Sequence, residues 1–368
     1  MHLYFHVPFC GRRCSYCDFA IAVRRVTPSR EYGEVVLTEW AMRQDEPVWT
    51  GAGEVETVYF GGGTPSRLDP TDLSALLERV RHDRPLSPDA EITLEANPED
   101  VTAARAAAWR LAGVNRVSLG VQSFDLAVLR WMHREHGAAE IEAAVPVLRA
   151  AGIDNVSLDL IFALPRSLGR DWSRDVERAL SLEPAHLSLY GLTVEPHTAL
   201  GRWTERGEAV PAEEGPAADE FLEAHETMAR HGFEHYEVSN FSVAGRRSRH
   251  NSAYWRRRPY QGFGPSAHSG SGALRRWNIR EWEAYRTAVV AGRQPLADSE
   301  ALSPAQVALE DLYLGLRTLD GVPVADIPGL QVSEWVAAGW ASVAGGRVRL
   351  SVEGWLRLDA LVAGVRRA

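Results

Sequence analysis

The stretch HVPFCGRRCSYCDF, residues 6–19, holds all three cysteines of a 368-residue chain: Cys10, Cys14 and Cys17. Three thiols within eight positions do not pair off as disulfides. Structural cysteines, which behave as small hydrophobes, scatter through a core instead of clustering. The spacing C-x3-C-x2-C therefore reads as a shared metal or cluster site. Zinc asks for four ligands, and the nearest fourth, His6, falls inside a strand-like run; the spacing is also a poor one for zinc. Three thiolates suit three irons of a 4Fe–4S cubane and leave the fourth iron open to an exchangeable ligand.

Outward from this loop, β-branched runs alternate with amphipathic stretches. Strands are expected at 2–7, 56–62, 91–96, 116–121, 155–162 and 186–192, with helices at about 30–47, 69–83, 99–112, 125–134, 138–151 and 171–182. Asp69 followed by Pro70 is a helix start, a capping carboxylate ahead of proline at the first helical position. Strand–helix units in series imply a parallel sheet with right-handed crossovers. The unusual residues stand at or near strand C-termini: the cysteines, GGGTP at 61–65, EANP at 95–98, VQS at 121–123, Asp159 and Tyr190-Gly191. In barrel enzymes that end carries the chemistry. The expected fold is α/β, a partial (β/α)6 barrel.

After residue 200 the rhythm fails. Residues 213–231 read as a helix and 233–280 as loop-rich. From about 300 a pattern of helices, a hairpin in ASVAGGRVRLS (341–351) and a final helix reads as a small α+β winged-helix-like domain, a packing cap or a recognition unit. The expected division is a barrel over 1–200, an extension over 201–295 and the cap over 296–368.

Composition narrows the chemistry. Hydrophobic residues make up 45% and charged residues 24%, an ordinary globular balance. The net charge of −9 argues against a general nucleic-acid binder. The chain contains no lysine, so Schiff-base chemistry, pyridoxal phosphate attachment and a Walker-type phosphate lysine are excluded. Met1 leads directly into a strand-like run with no signal-peptide pattern, and no apolar stretch has the length of a membrane span. A cytoplasmic, reducing location is expected, which suits thiolate ligands.

The glycines 61–63 with Thr64 place backbone where a ligand needs close approach. Glu95, Gln122, Arg134 and Asp159, read as lying at or near successive strand ends, are further candidates for ligand contacts.

C-x3-C-x2-C with Tyr16 before the last cysteine resembles the signature of radical S-adenosylmethionine proteins. The resemblance implies a 4Fe–4S cluster on Cys10, Cys14 and Cys17, with the amino and carboxylate groups of S-adenosylmethionine on the open iron. An electron from the cluster then cleaves a C–S bond to give a 5′-deoxyadenosyl radical. Within that superfamily YFHVPFCGRRCSYCDF, VYFGGGTPS, EANPE, LGVQSFD, LDLIFALP and YGLTVEPHT resemble the branch of oxygen-independent coproporphyrinogen III dehydrogenases and haem chaperones, from Tyr4 to the C-terminal cap. By position, Tyr4, Tyr16, Gly62, Gly63, Thr64, Glu95, Gln122, Arg134, Asp159 and Gly191 match the family's S-adenosylmethionine contacts, with His268 in FGPSAHS a further one.

Two departures from the dehydrogenases point to the chaperones: Phe19 replaces a further cysteine, and the chain begins three residues before Tyr4. H-N-x-x-Y-W, residues 250–255, resembles the chaperones' haem-binding motif. It implies haem contacts from His250, Asn251, Tyr254 and Trp255. An imidazole can ligate iron and the aromatic rings can pack on a porphyrin. Arg246, Arg247, Arg249, Arg256, Arg257 and Arg258 flank the motif and could pair with propionates. Without the resemblance this stretch would read first as a solvated basic loop or an RNA-binding patch.

The expected partners are haem, a haem-acceptor protein and an electron donor for the cluster, with no nucleic acid and no transmembrane segment. The alternative is a coproporphyrinogen III dehydrogenase. A more distant one, an RNA-modifying radical enzyme, is disfavoured by the acidic charge.

Anaerobic reconstitution should load roughly four irons per chain. Alanine at any one of Cys10, Cys14 or Cys17 should abolish a stable cluster by iron assay and electron paramagnetic resonance. Tightly held zinc in its place would sink the assignment.

Overall fold

The computed structural model describes residues 1–49 and 53–365. Its organising pattern is a period of two. In the strand His2–Val7 (β1), Leu3, Phe5 and Val7 are buried in the apolar core and alternate with His2, Tyr4 and His6. The same alternation runs through Val55–Gly62 (β2), Leu86–Ala96 (β3), Arg116–Gln122 (β4), Asn155–Phe162 (β5) and His186–Gly191 (β6). Leu94, Leu119, Leu158 and Leu187 lie in the core, whereas Glu95, Ser118, Asp159 and Ser188 fall on the other face. A parallel sheet with apolar cover on both faces reads as a near-continuous hydrophobic run. Here only one face is apolar.

Register carries the alternation from strand to strand. Tyr4 pairs with Tyr59, Glu95 with Ser118, Gly120 with Asp159, and Asp159 with Ser188. Polar residues therefore meet polar residues on one concave face. The apolar face packs against helices that include Ser29–Met42, Pro70–Asp83, Ala103–Ala112, Ala138–Ala150 and Trp172–Ser181, with Trp40 and Trp109 buried between the layers. The expected cap is present: the Asp69 side chain accepts from the Thr71 amide at 2.8 Å, ahead of a helix that begins at Pro70.

β1 to β6 are parallel and lie in chain order, as a partial (β/α)6 barrel requires. Residues 233–280, expected to be loop-rich, instead extend the sheet at both ends. Glu234–Glu237 (β7) and Asn240–Ser242 (β8) add antiparallel strands beside β6. Tyr260–Phe263 (β9) joins the free side of β1 in parallel, and His268–Ser271 (β10), Leu274–Asn278 (β11) and Leu296–Ala301 (β12) continue outward antiparallel. These strands are short and mostly polar, and two of them pair with partners far away in sequence. A local period-of-two signal is therefore weak.

A buried ion network fastens this extension to the first helix. Glu39 and Arg43 are both fully buried and meet at 2.8 Å. Arg43 also donates to Gln261 and Ser269, while Glu39 accepts from the Gly264 amide and the Tyr285 hydroxyl.

The C-terminal region has its own apolar cluster. Leu312 and Leu316 of the helix Pro304–Leu316, Trp335 of Gly329–Ala337, Val348 and Trp355 pack with Phe221. Its hairpin joins Ala341–Ala344 to Arg347–Leu350 through Gly345 and Gly346, with φ of 58° and 71° as a primed turn requires. Val322–Pro323 completes a three-stranded, winged-helix-like sheet. The last three residues of the expected cap lie outside the described residues. No described helix is long and apolar enough to cross a membrane.

Arg43→Ala strands the fully buried Glu39 carboxylate without its cation. Loss of one partner of a buried pair costs about 3–5 kcal/mol, read as a lower urea or thermal midpoint. An unchanged midpoint would show that the network does not hold the extension.

Candidate functional site

The polar face encloses a cavity of about 480 Å³, open at the C-terminal ends of the strands. The cysteine loop forms one side of its mouth. Two short segments, Phe9–Cys10 and Ala22–Val23, pair in parallel and pin the loop at both ends, with the Arg24 amide donating to the Cys10 carbonyl at 2.9 Å. The Ser15 amide donates to the Met132 carbonyl and the Ser15 carbonyl accepts from the Leu200 amide, which fixes the middle.

All three cysteines line the cavity, Cys10 buried and Cys14 and Cys17 partly so. The Thr64 hydroxyl donates to Cys10 Sγ at 3.4 Å, and Arg134 Nη1 donates to Cys14 Sγ at 3.5 Å. Burial pushes the Cys10 thiol up to about 11 and raises Cys17 as well, with the neighbouring thiols adding to both. Metal coordination overrides such shifts by deprotonating the thiol. Among the described residues, no three His, Cys, Asp or Glu side chains converge as a single metal ion requires. A cubane asks less, one thiolate on each of three irons. Three thiols around one mouth, with hydroxyl and guanidinium donors on their sulfurs, fit that group.

His6 is not a ligand candidate in this arrangement. Its Nε2 lies 2.9 Å from the Ala20 carbonyl and its Nδ1 3.1 Å from the Tyr4 hydroxyl. Its ring also explains a glycine. Gly62 has φ of 113°, and a Cβ there would come within 2.6 Å of the His6 ring. A Cβ on Gly63 would meet the Pro8 carbonyl carbon at 2.8 Å. These glycines are thus needed by the packing of the β2 end on the β1 end, before any ligand is considered.

Glu95 occupies the wall between them. Its Oε1 accepts from the Tyr59 hydroxyl at 2.8 Å and its Oε2 from the Gly62 amide at 2.9 Å. Burial raises it to about 7, with Asp159 adding, against the two hydrogen bonds. Asp159 is likewise raised by burial and accepts from Ser118 at 3.0 Å on both oxygens. Arg134 donates to the Gly120 carbonyl and to Asn97 Oδ1. Gln122 sits at φ 66°, a left-handed conformation unusual for its residue type, at the end of β4. Tyr16, Thr64, Gln122 and Gly191 line the same cavity. The arrangement offers carboxylates for an amine or hydroxyls, a guanidinium for an anion, and open thiols.

Sequence reasoning missed Tyr59, Ser118 and Ser188, which also line the cavity, while Asn97 and Tyr190 stood in strand-end stretches it marked without giving them a role. The period of two within each strand was the signal for the three it missed.

The remaining expected residues lie elsewhere. Tyr4 stands behind the cavity wall, stacked on Tyr59 with centroids 6.1 Å apart. His268 is exposed on β10 and stacks on Trp277 at 5.6 Å. The H-N-x-x-Y-W segment forms the short helix Arg249–Trp255, seated against the start of β2. Asn251 reaches the cavity, but His250 is 1% exposed. Its Nδ1 is 2.7 Å from Thr57 Oγ1 and its Nε2 2.8 Å from the Tyr254 hydroxyl. Trp255 lies under the Arg317 guanidinium. Arg247, Arg249, Arg256 and Arg257 are each ion-paired with carboxylates of this chain.

The profile of the radical SAM superfamily matches residues 4–179. The chain is 37% identical to the heme chaperone HemW of Synechocystis, over 90% of this chain and 81% of that one. It is 36% identical to the heme chaperone HemW of Mycobacterium tuberculosis, over 98% and 93%. Among solved structures it resembles the coproporphyrinogen III oxidase HemN of Escherichia coli. The TM-score is 0.83 at 22% identity, covering 98% of this chain and 88% of that one.

The environment of Glu95 sets a pH signature. Its proton leaves the unfolded chain near the usual carboxylate value and the folded chain near 7. Between those values the folded state holds the proton more tightly, so stability falls as pH rises through that window. Glu95→Gln lacks this loss. Relative to wild type, the variant should gain up to about 3 kcal/mol between pH 5 and pH 8. A pH-independent difference in urea midpoints would refute the assignment.

Proposed function

The chain belongs to the radical S-adenosylmethionine superfamily and, within it, to the HemW family, and from that premise we propose that it is a haem carrier that holds a 4Fe–4S cluster and S-adenosylmethionine. Cys10, Cys14 and Cys17 would hold the cluster. When bound, it supplies an open iron for the methionine amino and carboxylate groups and an electron of low potential. Glu95 accepts from an amine or the ribose hydroxyls, Arg134 faces the carboxylate, and Gln122 and Asp159 orient the nucleoside. Thr64 and the backbone at Gly62–Gly63 close the side next to the cluster, and Tyr16 and Gly191 complete the rim.

One observation carries the reading: the three-cysteine loop opens onto a cavity of about 480 Å³ lined by Glu95, Arg134 and Asp159, in a chain whose HemW relatives match nearly its whole length. That volume is in the range for one drug-sized ligand. S-adenosylmethionine suits it. The HemW relatives favour haem carried for transfer to an acceptor protein over a porphyrinogen processed beside the cluster. Two imidazoles can serve the iron. His250 lies in the motif but meets iron only if its helix leaves its seat. His268 is exposed and needs no such movement.

The fold likeness to HemN keeps a dehydrogenase as the second reading. Phe19 weighs against it. The ring lines the mouth and is 62% exposed, and it cannot ionise, ligate iron or accept a radical where the dehydrogenases carry a thiol.

Wild-type protein should bind about one haem per chain by Soret titration. His250→Ala and His268→Ala, titrated in parallel, assign the ligand to whichever substitution shifts the band. The cluster-loaded protein should not turn over coproporphyrinogen III anaerobically with reductant and S-adenosylmethionine, and Phe19→Cys alone should not confer turnover. No haem binding by wild type, or multiple turnovers of coproporphyrinogen, would overturn the carrier reading.

A further inference from the structure

The helix Arg249–Trp255 is held at both ends of its first turn. Glu91 accepts from the Arg249 and His250 amides, each at 3.0 Å. The Tyr236 hydroxyl, itself 2.8 Å from His186, accepts from the Ser248 amide. The His250 ring is thereby fixed. Thr57 holds it from β2 and Tyr254 from its own helix.

What the ring touches next is Tyr59. The two rings stack with centroids 4.9 Å apart and planes 27° apart. Tyr4 packs against both rings, stacked on Tyr59 at 6.1 Å and tilted against His250 at 6.4 Å. The Tyr59 hydroxyl then donates to Glu95, whose second oxygen takes the Gly62 amide. A contiguous path runs from the motif helix to the carboxylate in the cavity wall.

We propose that His250 is a positioning residue of the cavity: its imidazole holds the Tyr59 ring so that the phenol hydroxyl stays on Glu95 and keeps that carboxylate aimed at the cavity ligand. The proposal rests on the reading of this cavity as the S-adenosylmethionine site. It gives the H-N-x-x-Y-W segment a task that needs no haem, and it uses the ring in the paired, buried state in which it stands. Glu95 is fully dependent on such donors, because burial and the facing Asp159 both oppose its charge while Tyr59 and Gly62 favour it. Tyr4, Tyr190 and Tyr254 are the other ionisable groups that sense this carboxylate.

The test compares cluster-reconstituted wild type with His250→Ala, His250→Phe, Tyr59→Phe, Glu95→Gln and the double variant His250→Ala/Glu95→Gln. S-adenosylmethionine affinity is measured by anaerobic equilibrium dialysis, with iron content and thermal midpoint as controls. His250→Ala and Tyr59→Phe should each weaken binding about tenfold. The pH at which affinity is half-maximal should move upward in both, because losing the phenol donor raises Glu95. His250→Phe, which keeps the stacking, should recover most of the loss. In the Glu95→Gln background, His250→Ala should add less than about twofold, since the two act along one path.

Full additivity, an unmoved pH profile, or wild-type affinity in iron-replete His250→Ala would overturn the proposal. Should His250→Ala not fold, Thr57→Val loosens the same imidazole and must show a smaller loss of the same kind. Wild type that takes up the full cluster but no S-adenosylmethionine would instead refute the reading of the cavity itself.

Discussion

The structure depends on a single constraint, the pleat. Successive residues of a strand point to opposite faces, so a sheet whose strands alternate apolar and polar residues in register must have one oily face and one wet one. β1 to β6 all obey it. The oily face is covered by helices, and the wet face curls around a cavity. A slip of one residue in any of these strands would send leucines into the cavity and carboxylates under the helices. The register that places Glu95 and Asp159 in the wall is therefore enforced by Leu94 and Leu158 on the far side.

A polar interior has to be paired group by group, because an unpartnered buried polar atom costs free energy. Much of the molecule outside the parallel strands serves that requirement. The first turn of the helix Arg249–Trp255 gives its amides to Glu91. Ser157 and Tyr236 satisfy His186, and Asn155 takes Arg116. What begins as a floor is thus continuous with the wall that faces the ligand. The edge strands add a second buried network around Glu39 and Arg43, far from the cavity, and it keeps β9 aligned on β1.

Much of this was legible in the sequence, and for identifiable reasons. Local alternation and loop residues at strand ends gave six strands, their order and the end that carries chemistry. The cysteine spacing marked the mouth. Glu95, Gln122 and Asp159 were visible because each stands at or near a strand end beside apolar residues, whereas Arg134 follows the helix Leu126–Trp131 and had no such local signal. The strands of residues 233–280 were not visible, since their partners lie up to hundreds of residues away and their own pattern is short. The seat of His250 was not visible either. A motif gives residue types at a spacing, whereas burial and the pairing of both ring nitrogens depend on Thr57 and Tyr254, one of which lies far off in the chain. The glycines of 61–63 were read as room for a ligand, and packing against His6 and Pro8 proved to be the first demand on Gly62 and Gly63.

The placement of the cysteines has a practical side. A chain of this size usually carries thiols on several surfaces, and a maleimide dye then labels a mixture of them. Here all three thiols sit at one cavity mouth and there are no others. Any alkylating fluorophore that reacts with the native chain must report from that doorway. Its rate becomes a background-free gauge of whether the doorway is open, shielded or filled, and no residue has to be engineered away to obtain it.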